Sequence, residues 1–413
     1  MSVGINRPRI GLIGVSGYSR VHLEHLWAMH LRGEVVLAAA VVINPAEEST
    51  TCEHLRRIHC AVLPDFSALL VALPLLQLDL CIVPSPIHLH RQHAVALVEA
   101  GVHVLVEKPL AATVGDVDAV QRAAETAGCV AAVGFQYLHA AEVRALKERL
   151  VAGDIGALRR MSVCAAWPRS HAYYRRNNWA GRLRLNDTWV LDSPVANAMA
   201  HFFLLLLYFA GESRDGVARV RKMTAELYRA QDIESFDTAV VSMLTERGCV
   251  LNFYGTHSSR EIAHPVLMIE GDRGRAEWKQ DSHAAIDGVN GRWRLDASIE
   301  AVTRERMLHD VLARLTEPHR FVCSPKLARE HVRCVNALHE FTSIAPIPPD
   351  FRRLRQENGD VFTWVDGLDA QLASAFARRS GLRAAGVPWA VAQTEFDIEH
   401  YAGLASTPPA RER

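Results

Sequence analysis

The sequence lacks paired cysteines. Cys52, Cys60, Cys81, Cys129, Cys164, Cys249, Cys323 and Cys334 stand singly in apolar segments, with no CxxC and no His/Cys ligand spacing. They read as reduced core residues, and no metal site is expected from them. An excess of either charge is also missing, since 46 Lys plus Arg balance 46 Asp plus Glu. The densest basic run is only Arg352-Arg353-Leu354-Arg355, so the electrostatic footprint of a nucleic-acid binder is absent. No segment suits a bilayer: the richest, Ala198 to Ala210, contains His201 and falls short of the roughly 20 residues a spanning helix needs. It reads as a buried helix. Met1-Ser2-Val3-Gly4 passes almost directly into an apolar strand, without the zones of a signal peptide, so a cytoplasmic location is the expectation. His88, His90 and His93 cluster, but they straddle a strand end and a helix start, and no metal is expected there either.

What is present is length and pattern. A chain of 413 residues exceeds what one core usually serves, so two domains are expected. From Arg9 to Gln136, β-branched runs alternate with helical stretches, the signature of a doubly wound parallel sheet. The strand candidates are Ile10 to Gly14, Val35 to Ile43, Leu78 to Pro84, Val102 to Val106 and Cys129 to Gly134. Val117 to Ala127 has helical periodicity and stops at Gly128, a left-handed cap. After Tyr137 the pattern changes to one helix and then strand-like segments at Leu158 to Trp167, Val217 to Tyr228, Thr238 to Thr245 and Val250 to Thr256, which suits an open, largely antiparallel sheet. The expected division is a Rossmann domain over 1–136, an α/β substrate and oligomerisation domain over 137–350, and a C-terminal extension over 351–413 whose end, Thr407-Pro408-Pro409-Ala410, is disordered.

The first strand ends in Gly11-Leu12-Ile13-Gly14-Val15-Ser16-Gly17-Tyr18-Ser19 and a helix follows, the context of a dinucleotide fingerprint in which glycine lets the backbone approach pyrophosphate. The strict GxGxxG is broken: Ser16 and Ser19 occupy its second and third glycine positions, and Gly17 is displaced. Gly14, Ser16, Gly17 and Tyr18 are the candidate phosphate-side residues. Where the second strand should end in an acid for the ribose hydroxyls stands Asn44, followed by Glu47 and Glu48. Asn can still bond a diol. No local Arg or Lys meets a 2′-phosphate and the glutamates repel one, so NAD is favoured over NADP. Two further strand ends, Val83-Pro84-Ser85-Pro86-Ile87-His88-Leu89-His90 and Val104-Leu105-Val106-Glu107-Lys108-Pro109, fall at the carboxyl edge where such sheets bind ligands.

The broken glycine turn, the SPxxxH segment, the EKP of Glu107-Lys108-Pro109 and the later Gly134-Phe135-Gln136-Tyr137 resemble the glucose-fructose oxidoreductase, inositol dehydrogenase and MocA family. The resemblance covers the Rossmann half well and the second half more loosely. It implies cofactor contacts at Ser85, Pro86, His90, Glu107, Lys108 and Gln136, and substrate contact at Tyr137. It also implies that Lys108 touches both the nicotinamide ribose and the substrate hydroxyl. By analogy a homo-oligomer is expected, because open sheets of this family commonly pair face to face.

In the second half, Asp192-Ser193-Pro194 precedes the apolar helix, with Ser193 suited to the N-cap, Pro194 to the first helical position and Gly211 to the stop. Asn197 and His201 then lie four apart on one helix face. The resemblance makes His201 the catalytic histidine, normally preceded by an aspartate four residues earlier. Asn197 replaces that aspartate, so either His201 acts as a neutral hydrogen-bonding group or Asp192 supplies the charge. Trp167-Pro168-Arg169-Ser170-His171-Ala172-Tyr173-Tyr174, continuing to Trp179, mixes aromatics with polar donors that suit sugar rings, and makes Trp167, Arg169 and Trp179 substrate candidates. Gly255 to Arg260 could also face the ligand. The expected function is NAD-dependent oxidoreduction of a secondary alcohol or ketone on a sugar or cyclitol. One alternative is a glycosidase or epimerase working through transient oxidation; another is a dinucleotide- or sugar-sensing binding protein without catalysis.

Overall fold

The structure, a computed structural model, describes residues 7–408. Among these, residues 7–111, 116–135 and 305–326 form one compact unit, and 112–115, 136–304 and 327–408 form a second.

The first unit is a Rossmann domain. Its strands are β1 (Arg9–Ile13), β2 (Val36–Val41), β3 (Ala61–Leu63), β4 (Leu80–Val83), β5 (His103–Val106) and β6 (Ala131–Val133), and its helices α1 (Ser19–Leu31), α2 (Ser49–Arg57), α3 (Phe66–Leu76), α4 (His90–Glu99) and α5 (Val114–Ala127) lie between them in sequence. All neighbours pair in parallel in the order β3-β2-β1-β4-β5-β6. A parallel sheet is covered on both faces, so its strands read as continuous apolar runs, as Leu80-Cys81-Ile82-Val83 does with every residue buried. Local signals set the ends: the Asp65 carboxylate accepts from Ala68 N at 2.7 Å to cap α3, and Gly128 closes α5 at φ +66°. Met307, Leu308 and Val311, more than 170 residues beyond β6, pack into the same core as Leu26, Leu37 and Leu55. The segment 305–326 was expected in the second domain; its apolar side chains place it in the first.

The second unit carries α6 (Ala141–Val151), β7 (Leu158–Ala166), α7 (His171–Arg175), a small hairpin of β8 (Arg184–Leu185) and β9 (Thr188–Trp189), α8 (Ala200–Ala210), β10 (Val220–Arg229), β11 (Thr238–Thr245), β12 (Val250–Thr256), β13 (Ala263–Gly271), β14 (Arg275–Lys279), β15 (His283–Gly288) and β16 (Gly291–Asp296). After α9 (Glu300–Arg314), in which the chain passes to the first unit, come α10 (Pro325–Phe341), β17 (Ile344–Pro346), the hairpin β18 (Arg352–Glu357) and β19 (Asp360–Val365), α11 (Leu368–Arg378) and β20 (Thr394–Asp397). Ten strands form one sheet, β16-β15-β14-β13-β7-β12-β11-β10-β17 with β20 beside β10. It is mixed and mostly antiparallel, the parallel pairs being β7 with β12 and β10 with β17.

Two expectations change, and a third falls outside the described residues. The region from Phe351 to Asp397, set apart as an extension, is part of the second unit, because β20 pairs with β10 and the apolar face of α11, through Leu368, Leu372 and Ala375, packs with Tyr228, Val240 and Tyr254 of the large sheet. The expected disorder at Pro409-Ala410 lies outside the described residues; Thr407 and Pro408 lie within them, in irregular structure. The helix carrying His201 starts at Ala200 with Met199 as its cap, not at Ser193 and Pro194. Ser193 Oγ does accept from Ala196 N at 3.3 Å, but it closes a run of turns that leads into α8, and Asn197 lies in those turns rather than on the helix. None of the described helices is long and apolar enough to cross a membrane.

Candidate functional site

In the first unit the candidate cofactor residues gather at the carboxyl edge of β1, β2, β4 and β5. Gly14 leaves β1 at φ +90°, donates to Val41 O at 2.9 Å, and has no room for a side chain, since a Cβ would come 2.9 Å from Ser19 Oγ. Ser19, at the third glycine position of the fingerprint, is buried in the first turn of α1, with Oγ 3.5 Å from Ile13 O and Pro84 O. Gly17 is different. It is left-handed at φ +56°, a Cβ there would meet nothing, and it is exposed between Ser16 and Tyr18. A left-handed glycine facing open space before a helix N-terminus is the cradle a phosphate backbone needs.

Beyond β2, Asn44 Nδ2 donates to Glu47 Oε2 at 2.8 Å. Glu48 does not stand alone, as its carboxylate lies 2.8 Å from Arg20 NH2 and accepts from Thr51 Oγ1 at 2.9 Å. Burial pushes the Glu48 carboxyl up, but Thr51 and Arg20 more than offset it and hold it below its ordinary value. α1 supplies a basic partner that the local sequence does not show, Arg20 of its first turn, which is paired with Glu48.

The two proline-bearing strand ends are tied together. His90, buried at the start of α4, places Nδ1 2.9 Å from Pro109 O and Nε2 2.6 Å from Ser85 O, and His93 Nδ1 lies 3.0 Å from Ser85 Oγ. His90 thus holds the loop of Ser85 and Pro86 against Lys108-Pro109, a cis peptide. Under Lys108 lies a pair the sequence did not disclose: His22 of α1, wholly buried, with Nε2 2.8 Å from Glu107 Oε1. The second Glu107 oxygen accepts from Lys108 N at 3.1 Å. Burial pushes the Glu107 carboxyl up; the His22 contact and the Lys108 charge outweigh it and keep it below the usual range. Tyr18 sits edge-on to His22 with centroids 5.8 Å apart, and Lys108 Nζ lies 5.9 Å from the Tyr18 ring centre.

In the second unit, His201 occupies the first turn of α8, 6% exposed, with its ring edge-on to Tyr137 at 5.2 Å. Tyr137 is itself fixed by Trp278 at 5.7 Å and by Gln280 Nε2, which donates to its hydroxyl at 2.7 Å. Gln136 is buried and donates to Glu300 Oε1 at 3.2 Å. Asp192 bonds Asn197: its Oδ1 accepts from Asn197 Nδ2 at 2.8 Å and its Oδ2 from Gly181 N at 2.6 Å. The carboxylate that the sequence left as one alternative partner of His201 is engaged with the amide before it. Leu191 sits at φ +53°, a region costly to a bulky residue.

The aromatic loop is a stack of cations and rings. The Arg169 guanidinium lies 4.7 Å from the Tyr173 ring centre and 5.8 Å from that of Trp167, and Arg176 lies 3.7 Å from Tyr173 and 5.4 Å from Trp179. Ser170 Oγ caps α7 by accepting from Tyr173 N at 3.2 Å. By contrast Thr256, His257, Ser258 and Ser259 are buried, and His257 Nδ1 lies 2.8 Å from Trp167 O. Burial, helped by Arg169, pushes the His257 imidazole down to about 3. Those buried residues support the loop, and Arg260 at the end of the segment is exposed. Among the described residues one group is close enough to hold a metal, Glu34, Glu305 and His309, and Arg32 already contacts both of its carboxylates at 2.5 Å.

Residues 8–135 match the model of an oxidoreductase family with an NAD-binding Rossmann fold, GFO_IDH_MocA. A dTDP-3,4-didehydro-2,6-dideoxy-alpha-D-glucose 3-reductase of Streptomyces violaceoruber is 27% identical over 156 residues, 38% of this chain. The match spans only 44% of that relative's length. A putative UDP-kanosamine synthase oxidoreductase subunit of Amycolatopsis mediterranei is 27% identical over 289 residues, 65% of this chain and 74% of the relative. Among solved structures, the WlbA dehydrogenase of Bordetella pertussis in complex with NADH and UDP-GlcNAcA superposes with a TM-score of 0.66 at 20% identity, covering 81% of this chain and 95% of that one. At that identity the likeness is one of fold.

Proposed function

Through residues 8–135 this chain belongs to the GFO_IDH_MocA oxidoreductase family, and from that premise we propose that it is an NAD-dependent oxidoreductase acting on a secondary alcohol or ketone of a sugar, sugar derivative or cyclitol. The observation that carries the reading is the pairing of an open left-handed Gly17 before α1 with Lys108 at the end of β5, seated on the buried His22–Glu107 pair. The curated relatives named above act, by their names, on sugar nucleotides, which supports a sugar-like substrate.

The residues of this edge fit a dinucleotide. Gly14, Ser16, Gly17 and Tyr18 would hold its pyrophosphate, Asn44 its ribose, and Ser85, Pro86, His90 and Glu107 would shape the remaining contacts; Gln136, of the second unit, is a cofactor residue by the resemblance alone. Bound nicotinamide supplies the hydride acceptor or donor. In the oxidative direction Lys108 stabilises the developing alkoxide by charge-assisted hydrogen bonding, and His201 takes the hydroxyl proton. Tyr137 orients the His201 ring, Asn197 is polarised by Asp192, and Trp167, Arg169 and Trp179 stack on and bond the polyol. NAD is favoured over NADP because Glu48 neutralises Arg20 and Glu47 faces the Asn44 amide. Cytoplasmic location and self-association remain part of the proposal. A homo-oligomer would use a surface other than the sheet face that α11 covers.

The test is a screen of cyclitols, hexoses and glycosides for change in nicotinamide absorbance with NAD, and of the matching ketones with NADH. A substrate-dependent change supports the reading. Binding of NAD without any change across the panel refutes it.

A further inference from the structure

Within the second unit, the turn after β10, the start of α7 and the β18–β19 hairpin border a half-open cavity of about 510 Å³, lined by His171, Arg229, Gln231, Asp232, Arg352 and Thr363 among others. That volume suits a small-molecule ligand. None of these six was assigned to cofactor or substrate. Two observations converge on what the cavity takes.

The first is charge. Arg229 NH1 donates to Ile233 O at 2.9 Å and to Glu234 O at 3.1 Å, and Arg352 Nε donates to Ile347 O at 2.6 Å. Backbone carbonyls hold both side chains in place but do not neutralise them. Among the described residues neither guanidinium has a carboxylate within 4.0 Å, whereas Arg353 and Arg355 of the same strand pair with Asp366 and Glu357, each at 3.2 Å. Two unneutralised arginines thus line the cavity against the single acid Asp232. Positioned guanidiniums match paired oxygens of a carboxylate or phosphate.

The second is an orphaned acceptor. Gln231 is 4% exposed, its Nε2 donates to Thr363 O at 2.9 Å and to Ser258 Oγ at 3.2 Å, and its Oε1 is buried without a hydrogen-bond partner. Those two bonds fix the amide so that the oxygen is the group left over. Buried acceptors are rarely left so, and each costs free energy until a donor arrives. A ligand hydroxyl is a donor of the right kind. His171 Nε2 lies 2.8 Å from Thr363 Oγ1 and completes a polar wall.

We infer that this cavity binds a small hydroxylated anion, a polyol bearing a phosphate or carboxylate, with its anionic group on Arg229 and Arg352 and a hydroxyl donating to Gln231 Oε1. The inference does not depend on redox chemistry. The anion has two possible sources: the charged portion of the enzyme's own substrate, or a separate effector.

Calorimetric titration of the full chain with 6-phosphogluconate, with glucose as the neutral control, tests it. Saturable binding of the phosphorylated acid but not of glucose is expected. Arg352→Gln and Arg229→Gln should each weaken it tenfold or more, and Asp232→Asn, at an exposed position, should tighten it severalfold. Arg353→Gln, whose guanidinium is already paired, should change it less than twofold. No saturable heat at millimolar probe, or equal losses from Arg353→Gln and Arg352→Gln, would overturn the inference, the latter by showing diffuse surface charge. The source is read from kinetics: a raised KM for anionic but not neutral polyols in Arg352→Gln assigns the site to the substrate, and unchanged KM with binding lost assigns it to an effector. Because the titration needs no turnover, it stands or falls apart from the redox reading.

Discussion

Replacing His22 by alanine should destabilise the Rossmann unit by an amount the geometry sets. Glu107 Oε1 lies 2.8 Å from His22 Nε2, and the two side chains are 7% and 0% exposed. Removing one member of a buried pair strands the other's charge, which costs about 3 to 5 kcal/mol. Spread over a unit of this size, that lowers the melting temperature by roughly 10 °C. The effect has a definite pH dependence. In the native chain the Glu107 carboxyl is held below its ordinary value, so it contributes stability at pH above the usual carboxylate range and loses it as pH falls through the depressed value. Without His22, burial is opposed only by the Lys108 charge and backbone N–H, so the carboxyl rises and the variant is penalised most where the carboxylate is ionised and least in acid. The difference between native chain and variant should be largest at neutral pH and shrink toward acid. Adding Glu107→Gln to His22→Ala removes the stranded charge and should recover most of the loss. Thermal unfolding at neutral and acid pH for the three chains measures this. A loss below about 1 kcal/mol, or one of the same size at both pH values, would refute the claim of a charged, paired Glu107.

Lys108→Ala and His201→Ala should each lower turnover by about 10²- to 10⁴-fold while NAD affinity changes only severalfold, because their work is done mainly in the transition state; steady-state kinetics beside nucleotide calorimetry would show it, and tenfold or smaller losses for both would count against their roles. Asn197→Asp places a second carboxylate where the amide now meets Asp192 at 2.8 Å. Like charges so close raise one carboxyl pKa in the folded chain, so its stability should fall as pH rises, and the exchange Asp192→Asn with Asn197→Asp should restore it; unfolding curves at several pH values decide this. Glu48→Gln frees Arg20 and should raise NADP affinity several-fold to tenfold relative to NAD, whereas unchanged nucleotide preference in titrations would show that Arg20 does not reach the ribose edge.

The first unit was legible because its physics is local. Strands buried on both faces, such as Leu80–Val83, appear as unbroken apolar runs, and Gly128 marks a helix end by a conformation few other residues adopt. The three-residue β3, Ala61–Leu63, is too short to show any period. Strands β13 to β16 escaped notice because their outer faces are polar. In β16 five of six residues are exposed, so no apolar face announces it. The tail did carry a signal, Asn358-Gly359, both left-handed at φ +52° and +79°, the turn that joins β18 to β19. Its flanks of arginine and glutamate masked it. The site divides the same way. Lys108 and His201 were singled out as candidates through motif and resemblance, while His22 and Arg20 were not, because their partners Glu107 and Glu48 lie 85 and 28 residues away. No local period records such pairings.

The central claim is hydride transfer to a polyol carbon, and label transfer tests it most directly. The chain is incubated with NADH deuterated at the transferable C4 position and with keto-cyclitols and keto-sugars, neutral and anionic, and the products are examined by mass spectrometry. The account predicts one deuterium on the carbinol carbon of at least one product, with the label lost in Lys108→Ala although that variant still binds NADH. Tight binding of the labelled cofactor with no deuterium in any product would contradict it.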